Sequence, residues 1–176
     1  MRFVRTRRGR VGGFTLIELM VTVAVVAIIA VVAVPNLVSL VQANRISSLT
    51  DEMSASLQHA RSEAIRRNAQ VTVCRSADGA SCAGEAGAWD QWVVLAPDID
   101  GSTDVLQAHT APASLQITGS NDSITFRPSG VAVQALILTT CIPTDDIDEN
   151  QRQISVLVSG LMTTTSREGA GECPNS

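Results

Sequence analysis

Three patterns of hydrophobic and polar residues follow one another along this chain. Residues 1–13 are rich in arginine, residues 19–44 contain no charged residue, and residues 45–68 mix apolar with charged positions. In the third segment, apolar side chains recur at steps of three and four residues, the spacing of a buried helical stripe. The stripe consists of Ile46, Leu49, Met53, Leu57, Ala60 and Ala64. The pattern predicts one helix over about residues 14–68, whose second half packs on a folded domain.

The first half of this helix is apolar enough to approach a membrane span. Residues 19–34 are nearly all Val, Ala, Ile, Leu and Met, and a spanning helix needs about 20 such residues. Residues 1–13 carry five arginines and no acid, so the positive-inside rule predicts that they stay in the cytoplasm while the C-terminal side crosses. Pro35 lies near the predicted exit from the bilayer, where a proline allows a kink without ending the helix.

After residue 68 the pattern changes to short β-like runs separated by turn residues. The short connections favour antiparallel pairing. We therefore predict an α+β protein, with a long N-terminal helix packed on an antiparallel β-sheet domain. The chain divides into residues 1–13, a membrane helix over 14–34, an amphipathic continuation over 35–68, and a β-rich domain over 69–176. About seven strands are predicted, at residues 70–75, 91–96, 104–109, 114–118, 123–127, 131–140, and 152–158 continuing toward 165.

A glycine pair separates the basic residues from the apolar helix. A secretory signal is cleaved after its apolar segment, whereas Gly12 and Gly13 precede it, so cleavage there would remove the charge and leave the helix in place. Residues 12–18 resemble the class III signal of type IV prepilins and type II secretion prepseudopilins. The resemblance implies that a prepilin peptidase cuts between Gly13 and Phe14 and N-methylates Phe14.

Glu18 is a carboxylate near the start of a helix expected in a membrane, where such groups are costly and usually functional. In one interpretation it stays wet among the headgroups, because cleavage would make it the fifth residue. In the other, which the resemblance implies, Glu18 pairs with the new α-amino group of a neighbouring subunit. That pair would set the axial register between subunits in a fibre.

Four later segments, at residues 57–65, 71–74, 89–94 and 124–130, resemble the GspH/FimT group of minor pilins and pseudopilins. This resemblance implies a pilin-like fold and a non-enzymatic subunit of a filament. The implied partners are other pilins or pseudopilins, the prepilin peptidase, an inner-membrane assembly platform and, before assembly, the lipid of the inner membrane. The C-terminal domain would lie in the periplasm.

The two tryptophans of the third segment invite a binding interpretation, which we weigh against core packing. Burial in the core, with the indole N–H hydrogen-bonded, explains Trp89 and Trp92 more simply. The family usually has a glycine before the second tryptophan, and this chain has Gln91 there. We therefore predict that both side chains are buried, with an altered turn at Gln91.

Charge argues against binding of nucleic acid. Without residues 1–13, the chain has eight arginines, no lysine and 17 acidic residues, a net charge of −9, which repels phosphate by default. FimT-like DNA receptors resemble one another in a Gly-Arg-x-Arg motif near the C-terminus, and the matching residues 159–163 here read SGLMT. Of three functions, a minor pilin that helps to initiate a type IV pilus comes first. A GspH-type minor pseudopilin of a type II secretion system is the alternative, and a DNA receptor is disfavoured.

The cysteines beyond the helix would lie in an oxidising compartment, where an even number favours disulfides. Three connectivities are open. We favour Cys74 with Cys82, since the intervening residues form a turn, and Cys141 with Cys173, which would tie the polar C-terminal tail to the domain. A zinc site is not favoured, because the sequence has no CxxC pair and no histidine near the cysteines.

No cofactor, metal or catalytic group is expected. Residues 98–104 place three aspartates around a glycine, yet an EF-hand loop starting at Asp98 would need glutamate where His109 stands, so an ordinary turn is favoured. The acidic residues of 145–149 are expected to be solvated. Neither His59 nor His109 has a nucleophile or a phosphate-binding loop nearby in sequence.

Overall fold

The computed structural model describes residues 13–84, 87–98 and 100–174, with the side chains of Val32 and Pro35 excepted. Its only helix in these ranges, α1, is Leu16–Arg67, 52 residues long. Asn68 ends it in the left-handed conformation, with φ at 51°. The amide N–H of Ala69 donates to the carbonyl of Ala64 at 3.2 Å and that of Asn68 to Ile65 at 3.4 Å. These two bonds form a Schellman cap with asparagine in the position usually held by glycine.

The chain divides into two compact units, Met1–Val38 and Ser39–Ser176. No straight helical segment among the described residues is by itself long and apolar enough to cross a membrane, whereas the consecutive segments Leu16–Val31 and Asn36–Arg67 meet that requirement together by length and composition. The leader residues 1–12 and the side chain of Pro35, where a kink is allowed, lie outside the described part of the chain.

The second unit contains two four-stranded antiparallel sheets. The first sheet has the order β3-β2-β1-β5 and the second sheet β4-β6-β7-β8. The strands are β1 (Val71–Arg75), β2 (Gln91–Pro97), β3 (Thr103–Thr110), β4 (Gln116–Gly119), β5 (Ser123–Phe126), β6 (Leu136–Cys141), β7 (Gln151–Val156) and β8 (Met162–Arg167). The α+β prediction of a long helix packed on antiparallel strands is confirmed.

The described residues form eight strands where about seven were predicted, because the last run divides into a hairpin. The amide of Gly160 donates to the carbonyl of Leu157 at 2.8 Å and that of Leu157 to Leu161 at 2.9 Å. Gly160 has a φ of +79°, a conformation that permits this reversal and that other residues rarely adopt. An apolar run that reads as one strand therefore turns between β7 and β8.

The predicted strand over 131–140 is also too long at its start. Residues 131–135 form a turn region with one isolated bridge between Phe126 and Ala132, and β6 begins only at Leu136. The preceding Gly130 has a φ of +77°, which reverses the chain directly before this region.

The helical stripe, both sheets and the tryptophans share one core. All six predicted stripe residues are at most 2% exposed, and Trp89, Trp92 and Phe126 are fully buried. The indole N–H of Trp92 donates to Ser56 Oγ at 3.1 Å, whereas Trp89 Nε1 has no hydrogen-bond partner among the described residues. Core packing is thus confirmed for both side chains, and the predicted satisfaction of the indole N–H is confirmed for Trp92 alone.

Candidate assembly site

The first turn of α1 is capped by Thr15. The backbone N–H of Glu18 donates to Thr15 Oγ1 at 3.3 Å, and the amide of Leu19 donates to the Thr15 carbonyl at 3.2 Å. A threonine followed three residues later by glutamate is the sequence of a capping box. A carboxylate at this position also interacts favourably with the helix dipole. The Thr-x-x-Glu spacing could have identified Thr15 from the sequence, and that role was missed.

The predicted processing and assembly residues lie together at this helix start. Phe14 is 82% exposed, and no described atom lies within 4 Å of the position that a Cβ on Gly13 would occupy. Glu18 is exposed and forms no ion pair with any residue in the described ranges. The turn therefore presents a carboxylate and an aromatic side chain that other molecules can reach.

An apolar surface continues from this turn along the helix. Within the first unit, the exposed large hydrophobic residues are Phe14, Leu16, Ile17, Leu19, Met20, Val21, Val23, Val25, Val26, Ile28, Ile29, Val31, Val34, Leu37 and Val38. Soluble monomers rarely expose so large a contiguous apolar surface. Lipid or the helices of other subunits can cover it, and small residues such as Ala24, Ala27 and Ala30 allow helices to approach closely.

Both favoured disulfide pairings are present. Cys74 and Cys82 have their Cα atoms 5.5 Å apart, and Cys141 and Cys173 have theirs 5.7 Å apart. The first disulfide closes a turn around Asp78, whose pKa is held well below its ordinary value by the backbone N–H of Ala80 and then by the hydroxyl of Ser81.

The second disulfide acts together with a buried asparagine. Asn150 is 0% exposed; its Oδ1 accepts from the amide of Gly169 at 2.7 Å, and its Nδ2 donates to the carbonyls of Ile142 and Glu172 at 3.2 and 3.1 Å. The tail is therefore fixed to the β6–β7 connection by covalent and polar contacts.

The arginines that cluster near the C-terminal end of α1 have partners within the domain. Arg61 Nε donates to the carbonyl of Gly130 at 2.8 Å and its Nη1 to that of Gly160 at 3.0 Å. Arg66 and Arg67 pair with Glu63 at 2.5 and 2.9 Å, and these two hydrogen bonds lower the pKa of Glu63 to about 2. All three guanidinium groups are therefore engaged within the domain, and Glu63 offsets part of the positive charge at this end.

The remaining predicted polar candidates form local contacts. In the 98–104 turn, Asp100 Oδ1 accepts from the amide of Ser102 at 2.9 Å, and Asp104 lies 3.3 Å from Arg67. His109 Nδ1 lies 2.6 Å from Glu52 Oε1, and its ring stacks on Trp92 with centroids 5.1 Å apart. Across the part of the chain that the structure describes, no three His, Cys, Asp or Glu residues are arranged to hold a metal ion.

Comparison with known protein families identifies this arrangement. Residues 49–161 match the family model described as type II transport protein GspH, and residues 8–34 match the prokaryotic N-terminal methylation motif. The chain belongs to the GspH family. The family model covers α1 from Leu49 onward, strands β1 to β7 and the β7–β8 turn, and it ends directly before β8. The methylation motif covers the glycine pair, Phe14 and Glu18.

Solved structures give the same fold for this GspH-family protein. The type IV minor pilin FimU of Pseudomonas aeruginosa is 22% identical with a TM-score of 0.54, covering 76% of this chain and 95% of FimU. The minor pseudopilin EpsH of the Vibrio cholerae type 2 secretion system is 14% identical with a TM-score of 0.54, covering 69% of this chain and 97% of EpsH. No curated protein sequence matches significantly. The pilin-like fold is thereby confirmed.

Proposed function

We propose that this GspH-family protein is a minor pilin, a structural subunit that enters a type IV pilus and helps to initiate it. One observation carries the proposal: a capped helix start holding a single carboxylate is followed by an exposed apolar helix, which leads into a compact domain. The arrangement suits a subunit stored in the inner membrane and then transferred to a filament core, where contacts with helices replace contacts with lipid.

Glu18 would fix the axial register of the subunit against its neighbours in the filament. In a core without water its carboxylate is stable only when paired, and it forms no ion pair with the described residues of its own chain. The α-amino group of Phe14 in a neighbouring subunit, created by cleavage after Gly13, is the proposed partner. The cleaving enzyme would be a prepilin peptidase that also methylates Phe14.

The location and further partners follow from this function. The chain would be a single-pass inner-membrane protein with its C-terminal domain in the periplasm, where both disulfides are stable. It would join the filament through the inner-membrane assembly platform and contact other pilins there. DNA is not a proposed partner, because Arg61, Arg66 and Arg67 are already engaged within the domain.

A minor pseudopilin of a type II secretion system is the second candidate. It is favoured by the family model, whose description names type II transport, and by the shared fold with EpsH. Deletion of the gene in its own host distinguishes the two. Loss of surface pili with normal protein secretion would support the pilus, whereas retained pili with loss of secretion would support the pseudopilus.

Processing tests both candidates together. Mass spectrometry of the protein extracted from membranes should find an N-terminus at methylated Phe14. Gly13→Val should block cleavage, because a branched side chain would occupy the space that glycine leaves, and Gly12→Ala is the matched control that should still be processed. A retained Met1, or an N-terminus beyond Val34, would refute the prepilin interpretation.

A further inference from the structure

The edge strands of the two sheets differ in how their outer sides are protected. The edge of β5 is covered at Thr125, whose carbonyl accepts from the amide of Val133 at 2.8 Å. The edge of β4 is covered at Ile117, whose carbonyl accepts from the amide of Trp89 at 2.9 Å. The β3 edge is irregular, since its register with β2 shifts between Val94 and Leu95, and it carries Asp104. Covered edges, bulges and charges are the usual protections against pairing with another chain.

Among the described residues, the outer side of β8 has neither a covering segment nor a bulge, and its one charge is Arg167 at the end of the strand. Thr163, Thr164 and Thr165 are exposed, and no charged residue precedes Arg167 in the strand. Beyond β8 the chain turns to the β6–β7 connection, where Gly169 bonds to Asn150. Within the described ranges, no backbone hydrogen bond joins β8 to any strand other than β7.

Exposed apolar side chains lie directly before this open edge. In the β7–β8 turn, Leu157, Val158 and Leu161 are 50%, 52% and 56% exposed. Val133, 46% exposed, adjoins them, because the neighbouring Ala132 donates to the carbonyl of Val158 at 2.9 Å. An uncharged threonine strand continuous with an apolar turn favours contact with another polypeptide.

We propose that β8 pairs antiparallel with β8 of a second copy of this chain, which joins the two second sheets into one. The sequence of β8 is self-complementary in this arrangement. Pairing centred on Thr164 places Thr163 opposite Thr165, and opposed threonines stabilise antiparallel strands. No like charges face one another, since Arg167 lies opposite Leu161 and its aliphatic stem can cover that side chain.

The interface is isologous, so each β8 both gives and receives the same contacts. Long-range charge opposes it, because each Ser39–Ser176 unit carries eight arginines against 16 acidic residues, a net charge of −8. Salt screens that repulsion and leaves the backbone hydrogen bonds between strands in place. Pairing is therefore stronger at high ionic strength. It does not depend on the filament function proposed above.

Cysteine cross-linking of the full chain in detergent micelles tests the pairing. All four native cysteines are in disulfides, so Thr164→Cys introduces one free thiol at the proposed twofold axis. It should give a disulfide-linked dimer under mild oxidation. Ala108→Cys, an exposed position on β3, is the matched control and should cross-link roughly tenfold less. The dimer yield of the Thr164→Cys variant should rise with added NaCl.

A charge variant gives a second, independent measurement. Thr164→Lys should lower the association constant of the dimer roughly tenfold, because two ammonium groups meet at the axis, whereas Ala108→Lys should not change it. Both positions are exposed, and circular dichroism with thermal unfolding checks that all variants fold. Equal cross-linking at positions 164 and 108 would overturn the proposal. Cross-linking of the Thr164→Cys variant to a different filament subunit, and never to its own copy, would overturn it as well.

Discussion

Single residues in this protein connect distant parts of the chain. Arg61 on α1 bonds to two carbonyls that lie 69 and 99 residues away. Both acceptors are glycines with positive φ, and a Cβ on Gly160 would lie 2.4 Å from the carbonyl oxygen of Gly130. The guanidinium of Arg61 therefore joins the helix to the turns after β5 and β7. Only glycine fits at position 160, where the two turns meet.

At this scale Glu18 carries a prediction about assembly. Glu18→Ala should leave membrane insertion and processing of Phe14 intact, while the amount of the subunit in sheared filaments falls about tenfold because the charge partner of the neighbouring α-amino group is missing. Thr22→Ala, also exposed in the helix, is the control. Quantitative immunoblots of filaments and membranes measure both. Wild-type incorporation of the Glu18 variant would show that the carboxylate merely lies at the interface.

Glu63 carries a prediction about pH. Its folded pKa of about 2 lies below the ordinary value of 4.5, so its pairing with Arg66 and Arg67 stabilises the fold above about pH 4.5. That contribution is lost as pH falls toward 2. Glu63→Gln should lower Tm by about 2–3 °C at pH 7, with a smaller difference at each lower pH in that window. Thermal unfolding from pH 7 to 2 measures it, and a constant difference would refute the assignment.

At the scale of elements, we expect the disulfide that holds the C-terminal tail to stabilise the domain more than the other disulfide. The Cys141–Cys173 disulfide spans 32 residues and the Cys74–Cys82 disulfide spans 8. Replacing Cys141 and Cys173 with Ala should destabilise the domain by about 3–4 kcal/mol, against about 2–3 kcal/mol for the shorter loop. Cys74 and Cys141 are both 1% exposed, so the two double variants are matched in burial at their first cysteine. Chemical denaturation gives both values, and the reverse order would contradict the prediction.

The elements also show how much of the fold the periodicity of the sequence predicts. The helical stripe was predicted correctly because the 3- and 4-residue spacing reports burial of one face. The β7–β8 turn was missed because Leu157, Val158 and Leu161 read as a continuous apolar strand. What divides the run is the positive φ of Gly160, which packs against Arg61 and Gly130. Those contacts are remote in sequence and leave no local pattern.

At the N-terminus, sequence reasoning identified the chemistry but not the cap. Gly13, Phe14 and Glu18 stand out because a glycine pair and a carboxylate adjoin an apolar run. Thr15 was missed although the Thr-x-x-Glu spacing of a capping box is visible in the sequence, and the structure places its hydroxyl 3.3 Å from the Glu18 amide. The two disulfides were predicted from turn residues and the position of the tail. The hydrogen bonds of Asn150 to that tail required the folded structure.

For the whole molecule, the charge distribution predicts poor affinity for DNA. Acidic residues outnumber arginines in the domain, and four of the arginines have partners there: Arg61 binds carbonyls, Arg66 and Arg67 bind Glu63, and Arg152 lies 3.8 Å from Glu149. Fluorescence anisotropy at physiological salt should give a dissociation constant of about 10⁻⁴ M or weaker for duplex DNA. Micromolar binding that is lost in Arg152→Ala or Arg167→Ala would instead favour the DNA receptor.

The contacts of Arg61 also bear on how the domain forms and opens. Both acceptors lie far away in sequence, and each is presented only after its own turn has closed, so we expect these bonds to form late in folding. Interactions that are absent from the transition state act mainly on the unfolding rate. We therefore expect Arg61 to slow the unfolding of the domain and to lengthen its folded lifetime, with little effect on the folding rate.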